Sequence, residues 1–168
     1  SYDPNSQKVI VGYKRTNLGG AAAVVGTVSS TSISFGTPVV FETKNVDYIS
    51  NTYDLSAQKV VISFRDEYGT STSEYGYTIV GTVSGTSISF DTEIEYLART
   101  AYGVAFVNNL PQDRVVFFYQ DQIDNRLYVI VGTGDPVTFG TPTVVSAGSL
   151  GADFGAAYDS DADLICVA

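Results

Sequence analysis

The chain has 168 residues, enough for one domain with its own core, and nine Lys and Arg stand against eighteen Asp and Glu for a formal net charge of −9. The cations are scattered, which excludes a phosphate-binding surface and any expected nucleic-acid partner; the acidic balance itself serves solubility. With no His the commonest general base and metal ligand is missing, and no run of about 18 apolar residues offers a membrane span.

The chain opens as "SYDPNSQ", starting at Ser rather than Met and without a leader-like run, so it is expected to be a processed chain or a piece of something longer. Four strands are predicted next, at Lys8–Lys14, Ala21–Val28, Ser32–Phe41 and Tyr48–Tyr53. They are short, rich in Val, Ile, Thr, Tyr and Phe, and bounded by Gly, Asn, Asp and Ser. Between the second and third lies "SSTS" (Ser29–Ser32), a tight hairpin turn that becomes "SGTS" (Ser84–Ser87) further on.

From Lys59 the chain repeats itself. "KVIVGYK" (Lys8–Lys14) returns as "KVVISFR" (Lys59–Arg65), as "RVVFFYQ" (Arg114–Gln120) and as the start "DLICVA" (Asp163–Ala168). "VVGTVSSTSISFGTPVVFE" (Val24–Glu42) returns as "IVGTVSGTSISFDTEIEY" (Ile79–Tyr96) and "IVGTGDPVTFGTPTVVSA" (Ile130–Ala147). The copies begin at Lys8, Lys59, Arg114 and Asp163, hence 51, 55 and 49 residues apart. The third hairpin, "GDP" (Gly134–Pro136), is shorter by two, which keeps every side chain on its own face.

The expected organisation is one array: repeats at about 1–51, 52–106 and 107–157, then a partial fourth at 158–168. The fold class is all-β, with each repeat a four-stranded antiparallel sheet in a β-propeller-like arrangement. The runs "VVISF" and "VVFFY" are apolar on both sides, which suits strands sandwiched between neighbouring sheets. Val60, Ile62, Phe64, Val115, Phe117 and Tyr119 are therefore predicted core residues. Closed propellers need about four to eight blades. The array is thus a fragment of a longer one, a segment of a ring built from several chains, or an open stack. Its expected partners are further repeats or other copies of the chain.

The phrase "GTVSGTSISF", with "YD…KVV" before it and "GTPVVF" after its counterpart, resembles repeats in large β-propeller-like proteins of marine tailed phages, cyanophage-type virion or tail-fibre-like proteins. The likeness is clearest at Tyr53–Phe64 and Ile79–Phe90, and similar phrases occur in bacterial surface proteins. The resemblance implies a structural virion or surface-fibre module with a host-attachment role, on a virion, outside the cell or at its surface. It brings no catalytic residues.

The most variable segment between copies follows the first strand: "KRTNLGG" (Lys14–Gly20), "RDEYGTSTSEYG" (Arg65–Gly76) and "QDQIDNR" (Gln120–Arg126). Binding residues gather on such loops. Asp66, Glu67, Tyr68, Glu74 and Tyr75 place aromatic faces beside carboxylates, which suits stacking on a sugar ring and accepting from its hydroxyls. A host-surface glycan is therefore the alternative partner, set against a solvated loop that simply drifted. In "DSDAD", Asp159, Asp161 and Asp163 alternate as in a calcium loop but lack the later Gly and Glu of an EF-hand. A turn stabilised by Asp is the first reading of that stretch.

No enzyme is expected: no nucleophile–base pair can be proposed without His, a sialidase-type repeat needs a Trp that is absent, and five scattered Arg form no cluster. No cofactor is expected either. Cys166, the one thiol, sits in "LICVA" and reads as a small buried side chain.

Overall fold

The computed structural model describes residues 1–67, 74–98, 101–109, 114–133, 137–146, 155–159 and 161–167, with 102–106 and 109 described by their backbone alone. The described residues form seventeen strands and no helix. All pairings are antiparallel.

The first sheet runs β1 (Tyr2–Asp3), β2 (Lys8–Lys14), β3 (Ala21–Ser29), with β4 (Ser32–Phe35) and β5 (Val39–Glu42) in succession along the far edge of β3. The second repeats the plan with β6 (Val46–Asp54), β7 (Lys59–Asp66), β8 (Gly76–Ser84), β9 (Ser87–Phe90) and β10 (Ile94–Leu97). The third uses β11 (Ala101–Asn109), β12 (Arg114–Asp121), β13 (Leu127–Thr133), β14 (Thr138–Phe139) and β15 (Thr143–Ser146). A two-stranded sheet of β16 (Ala156–Asp159) and β17 (Leu164–Val167) follows.

The repeated phrase encodes this plan in detail. Gly26 pairs with Phe35, Gly81 with Phe90 and Gly132 with Phe139. A side chain at Gly81 would collide with Ile88 and Phe90, so the glycine lets both fold down onto the backbone. The hairpins close by Ser29 pairing with Ser32 and Ser84 with Ser87, as predicted.

Three readings need correction. The strand expected at Ser32–Phe41 is two strands in each sheet, broken where Gly36 N donates to Val25 O (2.9 Å), Asp91 N to Val80 O (3.0 Å) and Gly140 N to Val131 O (2.9 Å). Pro38 and Pro142 follow this break but Glu93 does so in the second sheet, so proline is not what sets it. The strand at Tyr48–Tyr53 is not the last of the first unit. It lies in β6 and opens the second sheet, because the turn after Asp54 returns the chain directly to Lys59. The fourth copy aligns at Leu164: it pairs with Asp159 as Lys8 does with Asp3 and Lys59 with Asp54.

The sheets stack face to face. One apolar cluster joins Ile10, Ala21, Ala23 and Val25 of the first sheet to Val60, Ile62, Phe64, Ile79 and Ile88 of the second. A second joins Val61, Val80, Tyr96 and Leu97 to Val115, Phe117, Tyr119 and Ile130 of the third. A third joins Val116, Phe118 and Leu127 to Ala156, Ile165 and Val167. All six predicted core residues are buried. Each sheet thus has a front face, packed on the sheet before it, and a back face, packed on the sheet after it. Aromatic side chains lock these joints: Phe41 lies 5.5 Å from Phe64 and 5.3 Å from Phe90, and Tyr96 lies 4.9 Å from Phe117 and 5.5 Å from Phe139, ring centre to ring centre. At one edge of the stack β6 lies against β11, and β11 against β16. There Asn51 Nδ2 donates to Ile10 O (3.2 Å) and Asn108 Nδ2 to Tyr53 O (2.6 Å), tying neighbouring sheets together.

Candidate functional site

The variable segment of the second repeat leaves β7 at Asp66 and returns to β8 at Gly76. Its base is pinned by Asp66 N donating to Tyr75 O (3.0 Å) and Glu67 N to Asn45 O (2.9 Å). These bonds bring Asp66, Glu67, Glu74 and Tyr75 to one end of the second sheet. Tyr68 lies outside the described residues.

The carboxylates gathered there are bound to cations. Lys14 at the end of β2 donates to Asp47 Oδ1 (2.7 Å) and to Glu67 Oε2 (3.0 Å). Those two bonds raise the Lys14 ammonium above its usual range. Arg65 is buried; it meets Glu74 at 2.9 Å and Asp47 at 3.5 Å, donates to Ala101 O (3.4 Å), and lies 4.7 Å over the Tyr48 ring. Lys14, Asp47, Arg65, Glu67 and Glu74 therefore form one network. It clamps the first sheet to the second, since Lys14 ends β2 while Asp47 lies in β6 and Arg65 in β7. Buried arginine with several partners is costly to disturb.

Asp66 joins a second group. Lys44 Nζ stands 3.7 Å from Asp66 and 3.9 Å from Glu93, and Glu42 Oε1 accepts from Thr43 N (2.6 Å) and Lys44 N (2.8 Å). Burial raises the Asp66 carboxyl, with Lys44 working against it and Glu42 adding to it. Burial and a hydrogen bond to Glu42 raise Glu93. For Glu42, burial is outweighed by the Lys44 and Thr43 amides and by Glu93, and its carboxyl is lowered. The two carboxyls therefore shift in opposite directions, Glu93 up and Glu42 down. The Lys44 ammonium is raised by the carboxylates of Glu42, Glu93 and Asp66 against the effect of its own burial.

The aspartate turns are Asx turns throughout. Asp3 Oδ1 accepts from Asn5 N and Ser6 N, Asp54 Oδ1 from Ser56 N and Ala57 N, and Asp159 Oδ1 from Asp161 N and Ala162 N. Gln7, Gln58 and Asp163 close these turns with φ of 55°, 56° and 54°. Asp163 accepts from the Tyr158 hydroxyl at 2.8 Å. No group of three metal-ligating side chains forms among the described residues, so Asp159, Asp161 and Asp163 are not gathered on a common point. Tyr53 reaches across to the first of these turns, where burial and the Asp3 carboxylate push its phenol up to about 12.

Cys166 is exposed, contrary to its apolar setting. It occupies the repeat position of Ile10, Val61 and Val116, whose side chains the following sheet covers; no described sheet follows β17. Sequence reasoning missed Lys14, Asp47 and Arg65 as a unit. The available signal was the cation that ends the same strand in two copies, Lys14 in "KVIVGYK" and Arg65 in "KVVISFR".

No protein-family model matches the chain, and neither the curated proteins nor the solved structures include a match.

Proposed function

We propose that the chain is a non-catalytic, β-propeller-like assembly module of a virion or surface fibre, with a role in host attachment. One observation carries this reading: the second and third sheets bury both faces against sheets of the same plan, so the repeat is built to be stacked. The first strands gather at one edge, as the inner strands of propeller blades do. The chemistry of the variable segment fits the same reading, because Glu67 is engaged with Lys14 of the first sheet, and Asp66 and Glu74 with Lys44 and Arg65.

The alternative is a carbohydrate-binding module, favoured by Glu67, which keeps an exposed side chain at the mouth of the segment, and by half-buried Tyr75 beside it. A glycan array on the purified chain separates the two. The assembly reading expects no saturable glycan binding. Binding lost on Glu67→Gln and Tyr75→Ala would overturn it in favour of the lectin reading.

A further inference from the structure

Among the described residues, nothing covers the front face of the first sheet. Val11 stands opposite Val24 as Ile62 stands opposite Ile79 and Phe117 opposite Ile130. Ile62 and Phe117 are each 0 % exposed, whereas Val11 is 39 % exposed. Tyr2, Tyr13, Ile33 and Phe35 likewise match the buried or half-buried Tyr53, Phe64, Ile88 and Phe90 and are exposed. With Val40 they form a contiguous apolar face whose strand positions carry no charged side chain, more than scattered surface hydrophobics.

The joints inside the chain say what such a face takes. Both matching front faces are covered by the back face of a sheet of this repeat. A back face is also left uncovered by the described residues: Leu164 and Cys166 of β17 are exposed, on the side opposite to Ile165 and Val167, which pack on the third sheet. We propose that the front face of the first sheet binds the back face of the last sheet of a second copy of this chain, continuing the internal stack from copy to copy. The contact is head-to-tail, so it closes into a ring or grows as a filament according to the rotation between copies. It rests on the stacked-sheet reading above and names the partner. Because the faces are apolar and each copy carries a net charge of −9, association strengthens with added salt, the reverse of an ion-pair interface.

The test uses the 168-residue chain in sedimentation equilibrium, with thiol trapping between copies. The unmodified chain is expected to self-associate at micromolar concentration. Val11→Glu, on a side chain already exposed and so compatible with folding, is expected to weaken association about tenfold or more. Val11→Cys is expected to form an intermolecular disulfide with Cys166, lost when Cys166→Ser is added. Persistence of the trap in that double variant means front faces meet each other, and overturns the proposal. A chain that stays at 17.9 kDa at all concentrations and salts also overturns it. Stacking inside the chain is read separately from the stability lost in Phe117→Ala. If that loss is present and association absent, the copy-to-copy contact is wrong and the stacked-sheet reading stands. If both are absent, both fall.

Discussion

Tyr96 and Phe117 stack across the joint between the second and third sheets, ring centres 4.9 Å apart and planes 26° from parallel. Each belongs to a different sheet, and Phe117 is fully buried. The same strand position is Val11 in the first sheet, where no described sheet lies in front. Phe117→Ala is expected to cost about 3–5 kcal/mol in chemical denaturation. Val11→Ala is expected to cost under about 1 kcal/mol. Equal costs would show that the two positions share one environment and that sheet stacking does not set their burial.

A glycine pair tests the outer edge of the stack. A Cβ at Gly36 would run into the Thr86 carbonyl of the second sheet, whereas one at Gly140, the matching position, meets nothing closer than Val131 O at 3.6 Å. Gly36→Ala is therefore expected to destabilise by about 1–3 kcal/mol, and Gly140→Ala by no more than about 0.5 kcal/mol. Thermal melts of the two variants check this, and a harmless Gly36→Ala would contradict the close approach of the first two sheets.

The strands were legible in the sequence because the chain writes them three times, with β-branched and aromatic runs between Gly, Ser and Asp turns. Which sheet owned the segment around Tyr48–Tyr53 was not legible. Short polar connections flank it on both sides, and only the ladder from Tyr53 to Val60 decides the matter. Burial was legible where copies have neighbours and misleading where they do not: "VIV" in β2 looks like "VVI" in β7 yet packs on one side only. The site was less legible. Lys14 lies 33 residues from Asp47 and 53 from Glu67, so the network exists only once the sheets are stacked. Glu67, which looked available to a ligand, is engaged by this stacking through Lys14.

Acid tests the carboxyl pair. Glu93 is raised in the folded state, so its contribution to stability is complete below the usual carboxyl range and is lost as pH rises through its folded value. Glu42 is lowered, and its contribution has the opposite sense, fading as pH falls through its folded value. Glu93→Gln keeps a donor for Glu42 and removes the charge that ionisation would place beside it. The variant is expected to melt about 1–3 °C above the unmodified chain at neutral pH. The difference should shrink as pH falls and Glu93 gains its proton. A variant less stable at neutral pH would show that the Lys44–Glu93 contact outweighs the carboxyl pair.

We infer that the repeated phrase is an architectural unit whose two faces are made to be covered by sheets of its own kind. An electron-microscopic or crystal structure of the assembled chain tests it most directly, through what lies on Val11, Tyr13 and Phe35. A β-sheet of a second copy is expected on that face, with β6, β11 and β16 turned toward one common axis. A monomer with that face open to solvent, or with the three internal sheets unstacked, would contradict it.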